Sequence, residues 1–208
     1  AKWKDYDPDR RAALGALALT ASAAALAGAD PSRMHPPANL VRPPGASLQS
    51  IESLCVRCAE CVRVCPTQGL QPSLFESGWH TLFTPRLVPR IGYCSYQCNA
   101  CGQVCPSGAI PPLELMVKQS TPIGLARIDT DRCLPWAYNT PCAVCEEACP
   151  LPDKAIKVEE VQAVNAQGIE VTLQRPRVVR ELCIGCGVCE NRCPLDGEAA
   201  VRVFSITT

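Results

Sequence analysis

The stretch CVRCAECVRVCP (residues 55–66) places four cysteines in eleven residues and closes on a proline. The device returns three times: Cys94, Cys98, Cys101 and Cys105; Cys133, Cys142, Cys145 and Cys149; Cys183, Cys186, Cys189 and Cys193. Pro106, Pro150 and Pro194 follow the last cysteine of each run, and the four runs use all 16 cysteines of the 208-residue chain. The first and fourth runs read C-x2-C-x2-C-x3-C-P, the spacing in which three thiolates hold three irons of one 4Fe-4S cube and the fourth reaches a neighbouring cube. Sulfurs three residues apart let a tight loop wrap one face of a cube with its backbone N–H groups turned toward it. The proline then directs the chain away.

Other thiol chemistry fits less well. A disulfide framework of 16 cysteines suits small scaffolds, and residues three apart in a tight loop pair poorly. Structural zinc sites join two ligand pairs separated by a dozen or more residues, unlike four cysteines in eleven residues repeated four times. The second run opens C-x3-C, one residue longer, which a small bulge can absorb. The third carries an eight-residue insert, residues 134–141. Trp136 and Tyr138 in that insert are available as an apolar lid over their cube or as ordinary packing residues. His35 and His80 stand alone and are weak ligand candidates.

The elements that must position these thiols are short. From Ile51 onward the pattern is apolar strand, cysteine loop, short helix. LARIDTDRC and RPRVVRELC read as strands entering the third and fourth loops, KAIKVEEV and AAVRVF as return segments, and VNAQGIEVTLQ as a hairpin. No long amphipathic helix is visible and aromatic residues make up 5% of the chain, so metal rather than a large apolar core organises the fold. With 20 basic and 20 acidic residues the chain is neutral, which gives no support for nucleic acid as a partner. Four oxidised cubes of about −2 each would take it to about −8.

Residues 1–29 form a separate object. AKWKDYDPDRR is polar and ends in twin arginines, and residues 12–29 run 18 positions without a charge. As a helix that stretch is about 27 Å long, the thickness of a bilayer core. Arg10-Arg11, the Ala-rich run and the small-residue AGA before Asp30 look like a twin-arginine export leader. Left uncleaved, it would anchor the chain with its N-terminus inside and the cysteine domain outside. Residues 30–50, with five prolines, read as a semi-rigid spacer reaching about 60 Å at most. A cytoplasmic protein is the alternative.

LVRPPGA ahead of the first run, CVRCAECVRVCPTQGLQP, CGQVCPSGAI and CLPWAYNTPCAVCEEACPLPDKAIKV together resemble the NapG/MauM ferredoxin-type proteins, exported polyferredoxins. The resemblance covers residues 40–208. It implies four 4Fe-4S clusters, an α+β fold of tandem ferredoxin-like modules preceded by the hydrophobic helix, and a site on the periplasmic side of the membrane. It also implies electron traffic between a quinol-linked membrane subunit and a cytochrome or terminal oxidoreductase. By analogy with four-cluster subunits, a nested pairing is expected: Cys55, Cys58, Cys61 with Cys193; Cys183, Cys186, Cys189 with Cys65; Cys94, Cys98, Cys101 with Cys149; Cys133, Cys142, Cys145 with Cys105. Sequential pairing is the alternative, since the gaps of 29, 28 and 34 residues between runs do not discriminate.

Three function classes remain. In an electron conduit nearly every distinctive residue is a cluster ligand, and no nucleophile-base pair or phosphate loop stands out. A catalytic iron-sulfur enzyme normally leaves one iron without a cysteine, and 16 ligands for 16 positions leave none. A metal-binding scaffold is the third. The conduit reading comes in two forms, a subunit of a membrane-associated complex or a diffusing carrier, and the leader and spacer favour the subunit.

Overall fold

The computed structural model describes residues 13, 15–17, 19–20, 40–76, 78–164 and 167–206. The chain divides into two compact units, Ala1–His35 and Pro36–Thr208. In the first, the described residues are helical and exposed. Thr20 Oγ1 donates to the carbonyls of Ala16 and Leu17. Most of the expected leader and spacer, with His35, lies outside the described residues. Among the described residues no helix is long and apolar enough to cross a membrane.

The second unit is built of short pieces. In chain order they are α1 (Leu48–Leu54), α2 (Glu60–Val64), β1 (Leu70–Pro72), β2 (Pro85–Leu87), α3 (Ala100–Gln103), α4 (Leu115–Ser120), β3 (Leu125–Ile128), α5 (Leu134–Ala137), α6 (Val144–Glu147), β4 (Ile156–Val164), β5 (Glu170–Val178), α7 (Val188–Arg192) and β6 (Val201–Phe204). Each strand finds one antiparallel partner: β1 with β2, β3 with β6, β4 with β5. The LARI and AVRVF segments therefore meet each other, Ile128 opposite Val201. The hairpin read from residues 164–174 extends to Ile156 and Val178.

Isolated two-stranded ribbons and one-turn helices are marginal by themselves. What joins them is a core in which Val41, Ile51, Leu70, Leu87, Ile110, Ile156, Val201 and Val203 pack directly against cysteines of all four runs. Each run's third cysteine lies inside a short helix, Cys61 in α2, Cys101 in α3, Cys145 in α6 and Cys189 in α7. The fourth cysteine sits at or just past that helix's end. Cys65 caps α2 with extended dihedrals (φ −68°, ψ 111°) and Cys193 caps α7 (φ −56°, ψ 125°), so the chain leaves the helix there and carries the sulfur away from the first three.

The residues 40–112 and 123–206 are fastened by main chain. Cys94 N donates to Cys186 O at 2.8 Å and Ile123 N to Ile184 O at 2.9 Å. Arg90 reaches across to the carbonyls of Glu190, Cys193 and Leu195, at 3.1, 3.2 and 2.8 Å. A guanidinium satisfies the last carbonyls of α7 and complements the negative end of its dipole. Asn191 Nδ2 donates to Pro89 O at 2.8 Å from the same helix. A Cβ on Gly185 (φ +70°) would come within 2.3 Å of the Gly124 backbone, so glycine is required where these chains cross.

Candidate metal centres

All 16 cysteines are free thiols, and four cavities collect them. The first is lined by Cys55, Cys58, Cys61 and Cys105. The second holds Cys94, Cys98, Cys101 and Cys65, the third Cys133, Cys142, Cys145 and Cys193, and the fourth Cys183, Cys186, Cys189 and Cys149. Counting their open mouths they enclose about 390, 410, 380 and 330 Å³. Every cavity takes three cysteines from one run and the last cysteine from another.

The lending is sequential: the first and second runs exchange fourth cysteines, as do the third and fourth. The nested pairing expected by analogy is not the one built. Cys193 lies with the third run rather than the first, and Cys65 with the second rather than the fourth. Cys149 lies with the fourth run rather than the second, and Cys105 with the first rather than the third. The reason is local. Thr67 Oγ1 donates to Tyr93 O and Val88 N to Gly69 O, which draws the chain after Cys65 against the chain before Cys94.

The donor set suits a polynuclear iron group. Among the described residues no three Cys, His, Asp or Glu side chains converge tightly enough to share one metal ion. The four thiols instead ring a cavity. Burial pushes the thiols up, Cys61 and Cys133 to about 11, Cys101, Cys145 and Cys186 to about 12, and Cys189 well above the ordinary range. The charge of neighbouring cysteines adds to each. Such groups stay protonated at neutral pH, and a metal that displaces the protons relieves both the mutual repulsion and the cost of a buried thiolate. Backbone amides already face sulfur, Ile110 N to Cys105 Sγ at 3.5 Å and Ala126 N to Cys183 Sγ at 3.4 Å.

Cys65 and Cys105 depart from this trend. Burial raises both, but hydrogen bonds outweigh it and leave them below the ordinary thiol range. The donors are Thr67, Leu70 and Gly69 for Cys65, and Ile110, Ser107 and Gly108 for Cys105. Because the Thr67 proton is committed to Tyr93 O, the amides carry most of that effect at Cys65.

Two comparisons now bear on these cavities. A 4Fe-4S dicluster domain matches residues 54–110 and a 4Fe-4S binding domain matches residues 176–196. The methylamine utilization ferredoxin-type protein MauM of Methylorubrum extorquens is 35% identical over 195 residues, 91% of this chain and 80% of the relative. MauM of Methylobacillus flagellatus is 34% identical over 174 residues, covering 83% and 71%. The ferredoxin-type protein NapG of Escherichia coli is 33% identical over 171 residues, covering 80% and 71%. This chain belongs to the NapG/MauM family of ferredoxin-type proteins. No solved structure matches it.

As a NapG/MauM ferredoxin it is an electron carrier that binds 4Fe-4S clusters, which is what the thiol cavities are suited to hold. The neighbour relations among the cavities are legible from charge and hydrogen bonding. Cys61 of the first helps push up Cys101 of the second. Cys94 of the second bonds Cys186 of the fourth, and Cys145 of the third acts on Cys189 of the fourth. The spatial order is first, second, fourth, third.

Of the two roles open to Trp136 and Tyr138 in the third run's insert, the lid is not the one built, since neither residue lines the third cavity. Leu134 and Pro176 line that cavity. Trp136 donates from Nε1 to Pro176 O at 3.2 Å and sits under the guanidinium groups of Arg175 and Arg177, 5.0 and 5.3 Å from its ring. Tyr138 is exposed. Trp136 is a bolt for the β4–β5 hairpin, the packing role weighed from the sequence. His80 lies 3.1 Å from Glu52 and lines none of the four cavities.

Proposed function

We propose that this ferredoxin holds four 4Fe-4S clusters in two tandem modules and relays single electrons along the order first, second, fourth, third. The observation that carries the reading is the exchange of fourth cysteines, which completes a four-thiol set in every cavity. Each cube, when bound, supplies one-electron oxidation and reduction. The protein's part is to fix spacing, exclude water and set the charge around each site. Cys58 is the exposed one of the 16 cysteines, and it marks the first site as the end of the series open to a partner.

The partners are redox proteins of a membrane-associated complex, a quinol-linked subunit on one side and a cytochrome or terminal oxidoreductase on the other. The chain works on the periplasmic side of the membrane, anchored through residues 12–29. The leader-like sequence and the family membership support this placement. Anaerobic preparations are expected to contain about 16 irons and 16 sulfides per chain, to be brown, and to accept four electrons in one-electron steps. Folded protein with zinc and no iron would remove the reading. Protease treatment of intact spheroplasts tests the location: digestion of the cysteine domain is expected, and protection would place it inside.

A further inference from the structure

Among the described residues three charged side chains are buried, and they divide by sign. Lys118 is 2% exposed and Arg42 4% exposed, both beside the first two sites, while Glu190 at 8% lies beside the fourth. Lys118 is presented by α4, an element with no cysteine of its own. Its Nζ donates to the carbonyls of Ser95 and Tyr96, the two residues after Cys94. Its charge acts directly on Cys94, opposing the effect of burial there. Among the described residues no carboxylate lies within ion-pair distance of it, so the natural counter-charge of this ammonium is the thiolate set of the second site.

Arg42 is held by Ser73, Thr84 and Pro85, with its Nε and Nη2 without hydrogen-bond partners among the described residues. It attracts Glu52 first and Cys55 next. Glu190 instead places a carboxylate in α7 next to Cys189, accepting from Val203 N at 2.6 Å, with Arg202 and Arg90 partly offsetting it. A second difference runs the same way. The residue two places after each fourth cysteine lines a cavity in every case. It is Ser107 in the first site and Thr67, whose proton goes to Tyr93 O, in the second, but Leu195 and Leu151 in the third and fourth. Ser107 Oγ lies 3.7 Å from Cys105 Sγ, and once that sulfur is a thiolate the hydroxyl is the donor.

Reduction adds one negative charge to a site. A buried cation or a hydrogen bond to sulfur favours the reduced form and a buried anion disfavours it, with little screening by salt in either case. Backbone N–H to sulfur bonds occur in both halves and do not separate them. We infer that the chain carries a built-in potential step: Lys118, assisted by Arg42 and Ser107, makes the first two sites the high-potential pair, so that an electron shared among the four settles in residues 40–112. The shift needs no co-reactant, since one site is oxidised as another is reduced. The inference rests on the four-cluster reading, and iron content separates the failure of one from the failure of the other.

The test is a spectroscopically monitored redox titration of the full, cluster-loaded protein. Two waves above and two below are expected. Lys118→Gln, which keeps a polar group beside the Ser95 and Tyr96 carbonyls, should shift one upper wave down by at least tenfold in the oxidised-to-reduced ratio, equivalent to 59 mV for one electron. Lys118→Arg should hold it. Glu190→Gln should shift one lower wave upward. If Lys118→Gln fails to retain its second cluster, Ser107→Ala on the part-exposed loop of the first site replaces it and should also lower an upper wave. Four loaded clusters with unchanged waves, or movement of a lower wave by Lys118→Gln, would overturn the inference.

Discussion

The loops of residues 55–65 and 183–193 have the same cysteine spacing and the same backbone, yet they reach it differently. Both put left-handed residues two places after the first cysteine and one place after the second. In the later loop these are Gly185 (φ +70°) and Gly187 (φ +83°), in the earlier one Arg57 (φ 58°) and Ala59 (φ 61°). A side chain in that region costs about 1–2 kcal/mol. Arg57 has a compensation, since its guanidinium ties the loop to the carbonyls of Leu82 and His80 at 2.9 and 2.8 Å. Ala59 has none. The contrast teaches that the shape of the loop is dictated by what four sulfurs must surround, and that residue choice only sets how much strain the loop carries.

The largest test of that view lies in the sulfurs. Cys65→Ser should disturb the cluster held by Cys94, Cys98 and Cys101, and Cys193→Ser the one held by Cys133, Cys142 and Cys145. Each should cost up to about a quarter of the iron, with one set of paramagnetic signals altered. Disturbance of the Cys183 site by Cys65→Ser would restore the nested pairing. Next comes Gly185→Ala, which forces a Cβ onto the Gly124 backbone. A loss of about 3 kcal/mol or more is expected in denaturant titration.

Trp136→Ala should cost about 2 kcal/mol through lost packing and two cation–π contacts. Hydrogen exchange should rise in the β4–β5 hairpin and stay unchanged in β1–β2, since Trp136 ties onto Pro176, Arg175 and Arg177 of β5. Ala59→Gly gives the earlier loop the glycine that Gly187 supplies in the later one and should stabilise by about 1 kcal/mol, visible as a later midpoint of unfolding. Last, Glu159→Gln removes the exposed pair with Arg177 at 2.9 Å and should change stability by less than about 0.5 kcal/mol.

How much of this could be read beforehand follows from where each cause lies along the chain. The cysteine runs were legible because one short loop decides three ligands of a site. The β3, β4, β5 and β6 segments were legible because alternation of apolar residues is local as well. Pairing was not, since Cys65 and Cys193 have the same neighbours in sequence whichever site they serve, and contacts such as Val88 N to Gly69 O decide between them. Trp136 looked equally suited to a lid or to packing because its partners, Arg175 and Arg177, lie some 40 residues on. Lys118 and Arg90 gave no signal at all: single cations in unremarkable stretches gain their roles only when α4 and α7 are placed. The stretch around Lys118 is bounded by Pro111-Pro112 and by Pro122, which marks a short element without marking the lysine.

The bond from Cys94 N to Cys186 O is made by atoms every residue possesses. Distance between the two innermost sites is thus written in main chain, where substitution has little purchase, while the electrical environment is written in side chains that can change one at a time. Members of a lineage built on this plan can retune their redox levels for new donors and acceptors without ever altering the length of the hop.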